Sequence, residues 1–441
     1  MLKKFFIISA MLFMSQASFA SGNANFSGII SDSNVSKSGV SMTVVDVKTG
    51  KEVYKLHSKQ YFHPASVQKL ITYKVAEDIL GKDYKFETKL YKNSKDEYLI
   101  KLSADPLLTS GDLKKLVSHV EPGAKAIYID DSIIDNIEWG EGWQWDDDLN
   151  PLMPKFSAYN LDGNLIKINF VPTVSGAPAE INQDKFYPLS FVNEVVTGKE
   201  NNVKLDRRNY IAPDMIIASG SVKTLVSKII PVNNTKRYFK LSLERILNDE
   251  KLDYSGVYKF KKLSSDYKQI ASVSHSIKDV QKSILSDSSN LAAESLFKVA
   301  SATEKKSGSF EEGLVLLNKY CEKLNLNTSN IKIVDASGVS KNNLLTGEFV
   351  AEFLANPSNI NLKEVLPTAG EGTLVNRMSY MKGKLHAKTG TLSDTSSIAG
   401  YIDSKSGETF AFCVMISDPK SKAADKKMLE EYLLREIYTK L

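Results

Sequence analysis

Two cysteines among 441 residues are too few for a disulfide framework. Cys321 falls in a helical pattern, "EEGLVLLNKYCEKL", and Cys413 in a strand pattern, "TFAFCVMI". Both read as small buried apolar side chains, with a bridge between them as the alternative. The five histidines (His57, His63, His119, His275 and His386) are scattered without ligand spacing, so neither a metal nor another cofactor is expected. Excess charge of one sign is also small. The net charge of +5 is spread along the chain with no basic stripe, which excludes nucleic acid as the expected partner. Internal repeats are lacking. Apolar content of 42% and charged content of 25% are globular values that exclude disorder. The length exceeds one ordinary core, so two or three domains are expected.

No segment beyond the N-terminus has transmembrane length. The first twenty residues, "MLKKFFIISAMLFMSQASFA", carry Lys3 and Lys4, an apolar run from Phe5 to Met14, and Ser18-Phe19-Ala20. That is a positive n-region, an h-region and a small-x-small cleavage site. A membrane anchor is the alternative, but the run falls far short of the roughly 20 residues that span a bilayer. A signal peptide over 1–20, cleaved after Ala20, implies an exported, periplasmic protein. "SMTVVDVKTGKEVYKL" predicts two strands around a Lys48-Thr49-Gly50 turn. After Pro64 comes a helix with apolar Val67, Leu70, Ile71, Val75 and Ile79, ended by Gly81. Further helices are predicted over about 276–302, 309–325 and 345–355. The C-terminal part reads as a β-pattern followed by a helix over about 421–440, with Met428, Leu429, Tyr432, Leu433 and Ile437 on one face. That face is expected to pack on the sheet rather than lie on a membrane. An α/β unit thus begins before residue 82, is interrupted, and resumes near 262, which predicts an insertion.

Ser66-Val67-Gln68-Lys69 is one of several S-x-x-K matches; others start at Ser265, Ser295, Ser329, Ser379 and Ser417. Ser288-Ser289-Asn290 and Lys388-Thr389-Gly390 are likewise not rare alone, since Ser21 and Ser340 also begin S-x-N and Lys48 begins K-T-G. The Lys48 copy is ordinary turn chemistry. The chemistry of the other set is specific. A serine hydroxyl needs an adjacent base, and positions i and i+3 of a helix share a face, so Lys69 can reach Ser66. Lys69 is a base only if its pKa is depressed, which burial and the nearby Lys388 would do. Ser288 and Asn290 can relay a proton to a leaving amine and hold a substrate amide. The K-T-G strand offers an edge for an extended peptide. There Lys388 and Thr389 can bind a terminal carboxylate, and Gly390 allows close approach.

S-x-x-K, S-x-N and K-T-G in that order form the penicillin-recognising signature. "PASVQKLIT", "SDSSNLAAE", "DASGVSKNNLLT", "LPTAGEGTL" and "AKTGTLSDTSSIAGYI" resemble the class C low-molecular-mass penicillin-binding proteins, the D-alanyl-D-alanine carboxypeptidase/endopeptidase family. "SADPLLTSGDL" and "GEGWQWDDDL" are similar to parts of that family's inserted region. The resemblance covers nearly all the mature chain and is weakest over about 170–235. It implies an α/β fold with a serine transpeptidase-like catalytic domain, a sheet with helices on both faces, over 21–82 and 262–441. It further implies two nested insertions, domain II over 83–168 and 233–261 and domain III over 169–232. The implied reaction is cleavage of peptidoglycan stem peptides through an acyl-enzyme on Ser66, inhibited by β-lactam antibiotics. The backbone N–H groups of Ser66 and Thr391 would form the oxyanion hole. Serine β-lactamase and a degenerate wall-binding module are the rival readings. The long stretch between Ser66 and Ser288 counts against the first, and the complete motif set against the second.

Asp335, Ser337 and Gly338 read as a supporting turn. Trp139, Trp143 and Trp145 are expected to pack at a domain interface, with a substrate subsite as the alternative. Among Asp146, Asp147 and Asp148, the family places a side-chain-recognising aspartate. Asp147 is favoured over Asp146, which stays open. Nothing in the pattern sets an oligomeric state.

Overall fold

The computed structural model describes residues 24–207, 212–252, 261–303 and 306–441. The expected signal peptide over 1–20 lies outside them. A five-stranded antiparallel sheet forms the base of the molecule, in the order Leu385–Thr391, Thr395–Asp403, Thr409–Ser417, Val40–Asp46, Glu52–Leu56. The two ends of the chain meet at its centre, where Val40 pairs with Ile416 and Asp46 with Phe410. Alternate residues of these strands point to opposite faces. Val40, Met42, Val44, Phe412, Val414 and Ile416 join the core under the C-terminal helix Ala423–Lys440. Ala411, Cys413 and Met415 turn instead to the core shared with Gly347–Ala355 and Lys69–Leu80. A one-residue slip would exchange the two sets, so burial on both faces fixes the register.

Cys321 and Cys413 are both free and buried, so the alternative of a bridge does not hold. Burial raises both thiols above the usual range.

Three differences from the sequence reading have physical causes. The helix expected over 276–302 is two, Ile277–Leu285 and Asn290–Ala300. The break is a cap: Ser289 Oγ accepts from Ala292 N at 3.2 Å, and Ser288 takes a left-handed φ of 62°. Short polar side chains compete with helix continuation in this way. On the C-terminal helix, Met428 and Tyr432 are exposed and Leu434 is buried in their place. Finally, Lys268–Ser276 pairs with Lys85–Lys92 in a four-stranded sheet that also holds Glu97–Lys101 and Ala126–Asp130. Lys268–Ser276 thus pairs outside the five-stranded sheet.

Two three-stranded sheets are formed by strands between residues 165 and 231. One joins Leu165–Val171 with Glu180–Gln183 and Val226–Pro231, and the other joins Ser190–Thr197 with Lys204–Arg207 and Met215–Val222.

Candidate active site

Ser66 sits in a tight turn, Ala65–Gln68, that runs straight into the helix Lys69–Leu80. Pro64 opens the turn, and Ala65 takes a left-handed φ of 49°. Such backbone persists only when its surroundings hold it. Ser397 Oγ donates to Pro64 O at 2.7 Å. The K-T-G strand presses from the same side: a Cβ on Gly390 would fall 2.3 Å from Ser397 Oγ and 2.8 Å from Ser66 N. Glycine at 390 is therefore required by the protein's own backbone, not only by an approaching substrate.

Lys69 Nζ is the centre of the constellation. It lies 2.9 Å from Ser66 Oγ, 2.6 Å from Asn290 Oδ1 and 2.7 Å from Ser337 O. Burial, only partly offset by the charges of Asp335 and Glu294, lowers its pKa from the usual lysine value to about 7. Asn290 Nδ2 donates to Leu152 O at 2.7 Å, so this side chain orients Lys69 and is itself anchored. Lys388 Nζ donates to Ser288 Oγ at 2.8 Å and to Thr389 O at 2.9 Å. Burial and then the charge of Lys69 hold Lys388 well below its usual pKa. Thr389 Oγ1 donates to Thr373 Oγ1 at 2.7 Å. The expected Ser66, Lys69, Ser288, Asn290, Lys388 and Thr389 are thus brought together from four separate elements.

Behind Lys69 lie two buried carboxylates. Glu294 Oε1 accepts from Ala336 N at 3.0 Å and Ser337 N at 2.9 Å, which turns the Ser337 carbonyl toward Lys69. Burial and then Asp335 raise the Glu294 carboxyl to about 7. Asp335 Oδ2 accepts from Trp143 Nε1 at 2.8 Å and Ser340 N at 2.6 Å, and Oδ1 from Gly338 N at 2.7 Å. The turn beginning at Asp335 is therefore supporting structure. Gly338 has φ 81°, and a Cβ there would meet Ala65 O at 2.0 Å. Glu294 escaped the sequence reading. Its signal was a single acid in the apolar run "LAAESLF", one helical turn after Asn290.

A cavity of about 630 Å³ opens over these groups, and Ser66, Asp147, Ser288, Asn290, Gly390 and Thr391 are among its walls. Asp147 faces it half-buried, whereas Asp146 is exposed and lines none of it. Burial and then the charge of Asp146 raise the Asp147 carboxyl. Asp148 points away, 3.6 Å from the buried guanidinium of Arg207, which also donates to Asp148 O at 3.1 Å and Pro231 O at 2.8 Å. Trp139 and Trp143 pack edge to face at 5.0 Å, whereas Trp145 is 70% exposed. Among the described residues, no group of three His, Cys, Asp or Glu is placed to hold a metal ion.

A serine–lysine pair at a helix start, an S-x-N turn and a K-T-G edge strand around one cleft, on a sheet covered by helices, is the architecture of the penicillin-recognising serine hydrolases. The chain belongs to the D-Ala-D-Ala carboxypeptidase 3 (S13) family, whose model matches residues 22–434. The activity that this membership carries is that of a serine-type D-alanyl-D-alanine carboxypeptidase. The D-alanyl-D-alanine carboxypeptidase DacB of Haemophilus influenzae is 25% identical, over 91% of this chain and 91% of its own length. The D-alanyl-D-alanine carboxypeptidase of Actinomadura sp. (strain R39) is 25% identical, over 85% of this chain and 77% of its own. The crystal structure of penicillin binding protein 4 (dacB) from Haemophilus influenzae superposes with a TM-score of 0.83 at 22% identity, covering 94% of this chain and 99% of that one. Among the described residues, no helix is long and apolar enough to cross a membrane.

Proposed function

We propose that Ser66 is the nucleophile and Lys69 its base in hydrolysis of peptidoglycan stem peptides. The observation that carries this is a fully buried Lys69 with Nζ 2.9 Å from Ser66 Oγ and a pKa lowered to about 7. Neutral Lys69 takes the Ser66 proton as Oγ bonds to the carbonyl carbon of the penultimate D-alanine. The oxyanion faces the backbone N–H groups of Ser66 and Thr391. The C–N bond then breaks, and the leaving amine takes a proton through Ser288, which Lys388 holds. Water attacks the Ser66 ester and releases the shortened peptide. Lys388 and Thr389 receive the terminal carboxylate, whose charge draws Lys388 back toward its protonated form. Gly390 keeps the strand against the nucleophile turn. Asp147 meets a free amine on the stem's side chain. A β-lactam presents the same carbonyl and is trapped on Ser66.

The protein is exported through the peptide 1–20 and acts in the periplasm. Lys3, Lys4, the apolar run and Ala20 support this reading. The insertion forms two nested units, the outer built on the four-stranded sheet and the inner on the two three-stranded sheets. A fluorescent penicillin is expected to label the wild type covalently and Ser66→Ala not at all. Undiminished labelling of that variant overturns the assignment. Rapid turnover of the penicillin instead of a stalled adduct marks a β-lactamase.

A further inference from the structure

A second cavity, of about 380 Å³, opens beside the first. Leu152, Asp287, Ser288 and Asn290 line both. Ser66 lines only the first, whereas Ser283 and Ser289 line only the second. The second cavity therefore lies beside the first across Ser288 and Asn290, and Ser288 is the group through which the proposed leaving amine takes its proton. Its walls are largely apolar and include Pro106, Leu107, Pro151, Leu152 and Leu165. Asn290 Nδ2 donates to Leu152 O at 2.7 Å, and both residues line both cavities. Leu152 itself is 70% exposed.

A linear substrate does not reach this space. Its chain ends at a carboxylate held by Lys388 and Thr389, and nothing continues past it. A cross-linked substrate does continue. There the leaving amine belongs to a diamino acid of a second stem, which carries the carboxylate and then an aliphatic methylene chain before its own peptide resumes. We infer that the second cavity is the subsite for this leaving strand, with the methylene chain on Leu107, Pro151 and Leu152 and the second stem running out over Leu165. The inference rests on the acyl-enzyme chemistry proposed above. Bond making and breaking are unchanged: the amide C–N bond of the cross-link breaks, the acyl carbon stays on Ser66, and the amine of the second stem takes the proton. Binding energy collected remotely by that strand positions the scissile amide and so raises the rate of bond cleavage.

The test is to fill the cavity. Leu107→Trp is expected to lower kcat/KM for a cross-linked tetrapeptide dimer by about tenfold or more, with penicillin acylation and cleavage of a linear pentapeptide within about twofold of wild type. Leu165→Trp, on a different element, repeats the measurement and carries the test if the first variant loses penicillin acylation through misfolding. An unchanged rate on the dimer overturns the assignment. So does an equal fall on dimer and linear peptide, and so does a wild type that acylates penicillin yet leaves the dimer intact. A wild type that penicillin does not acylate sinks the underlying chemistry instead, and this subsite with it.

Discussion

Glu294 never touches the proposed substrate, yet it helps set the state of Lys69. Its charge supports the protonated lysine, while burial opposes it more strongly. The neutral lysine is the base, so acylation by penicillin should rise with pH through about 7 and level off above it. Removing the supporting anion lowers the Lys69 pKa further. Glu294→Gln should therefore move the rising limb of the pH profile to lower pH, with Ser66 still acylated. A profile that stays in place shows that Glu294 acts only as a backbone clamp. Ser66, Lys69, Ser288, Asn290 and Lys388 were legible because each belongs to a short motif whose order carries meaning. Glu294 was not, because a buried carboxylate bonded to backbone N–H groups leaves no mark beyond one acidic letter in an apolar segment.

At the scale of elements, the site depends on a strand pressed against a turn. Gly390→Ala places a Cβ 2.8 Å from Ser66 N and 2.3 Å from Ser397 Oγ, so one of them must shift. The backbone N–H of Ser66 is a proposed oxyanion donor, and displacing one such donor costs about a hundredfold or more in rate. Penicillin acylation of Gly390→Ala should fall by that order while the protein stays folded. Retention within a few-fold of wild type would show that the strand yields without disturbing the turn. Hydrophobic periodicity located the helix Lys69–Leu80, the K-T-G strand and the C-terminal helix. It ran through the break at 286–289, since apolar spacing continues across a cap that is written only in serines. The proposed proton-relay serine occupies that break, so the lost helical continuity is what exposes Ser288.

At the scale of the molecule, the sharing of one sheet by strands from the two ends was legible, but the pairing of the strands between them was not. Strand ownership is decided by pairing, and Lys268–Ser276 looks like any half-buried strand until Lys85–Lys92 is beside it. The strand Lys204–Arg207 reaches the active-site mouth through Arg207, which clamps Asp148 next to Asp147. Val171 and Val226 lie at adjacent ends of a paired ladder, in which Phe170 opposes Val226. Replacing 171–225 with a two-residue Asn-Gly turn closes that ladder as a hairpin between Phe170 and Val226. The shortened protein should still be acylated by penicillin but lose preference for peptides that bear a free side-chain amine. Arg207→Met alone should reproduce the loss. Folded protein that penicillin cannot acylate would contradict the modular reading.

The sheet at the base has a consequence for how the chain comes into being. Its central pair, Val40–Asp46 and Thr409–Ser417, joins residues separated by most of the polypeptide. Synthesis runs from the N-terminus, and early segments fold first. Every strand of the four-stranded sheet and of the two three-stranded sheets is present by Ser276, whereas the K-T-G strand and the next two strands of its sheet come after residue 384. The segment that carries Ser66 is thus synthesised early and lacks the strands that hold its turn until the last eighth or so of the chain arrives. A ribosome-bound or truncated chain holds Ser66 and Lys69 but no cleft, so the hydrolase is inert until it is whole.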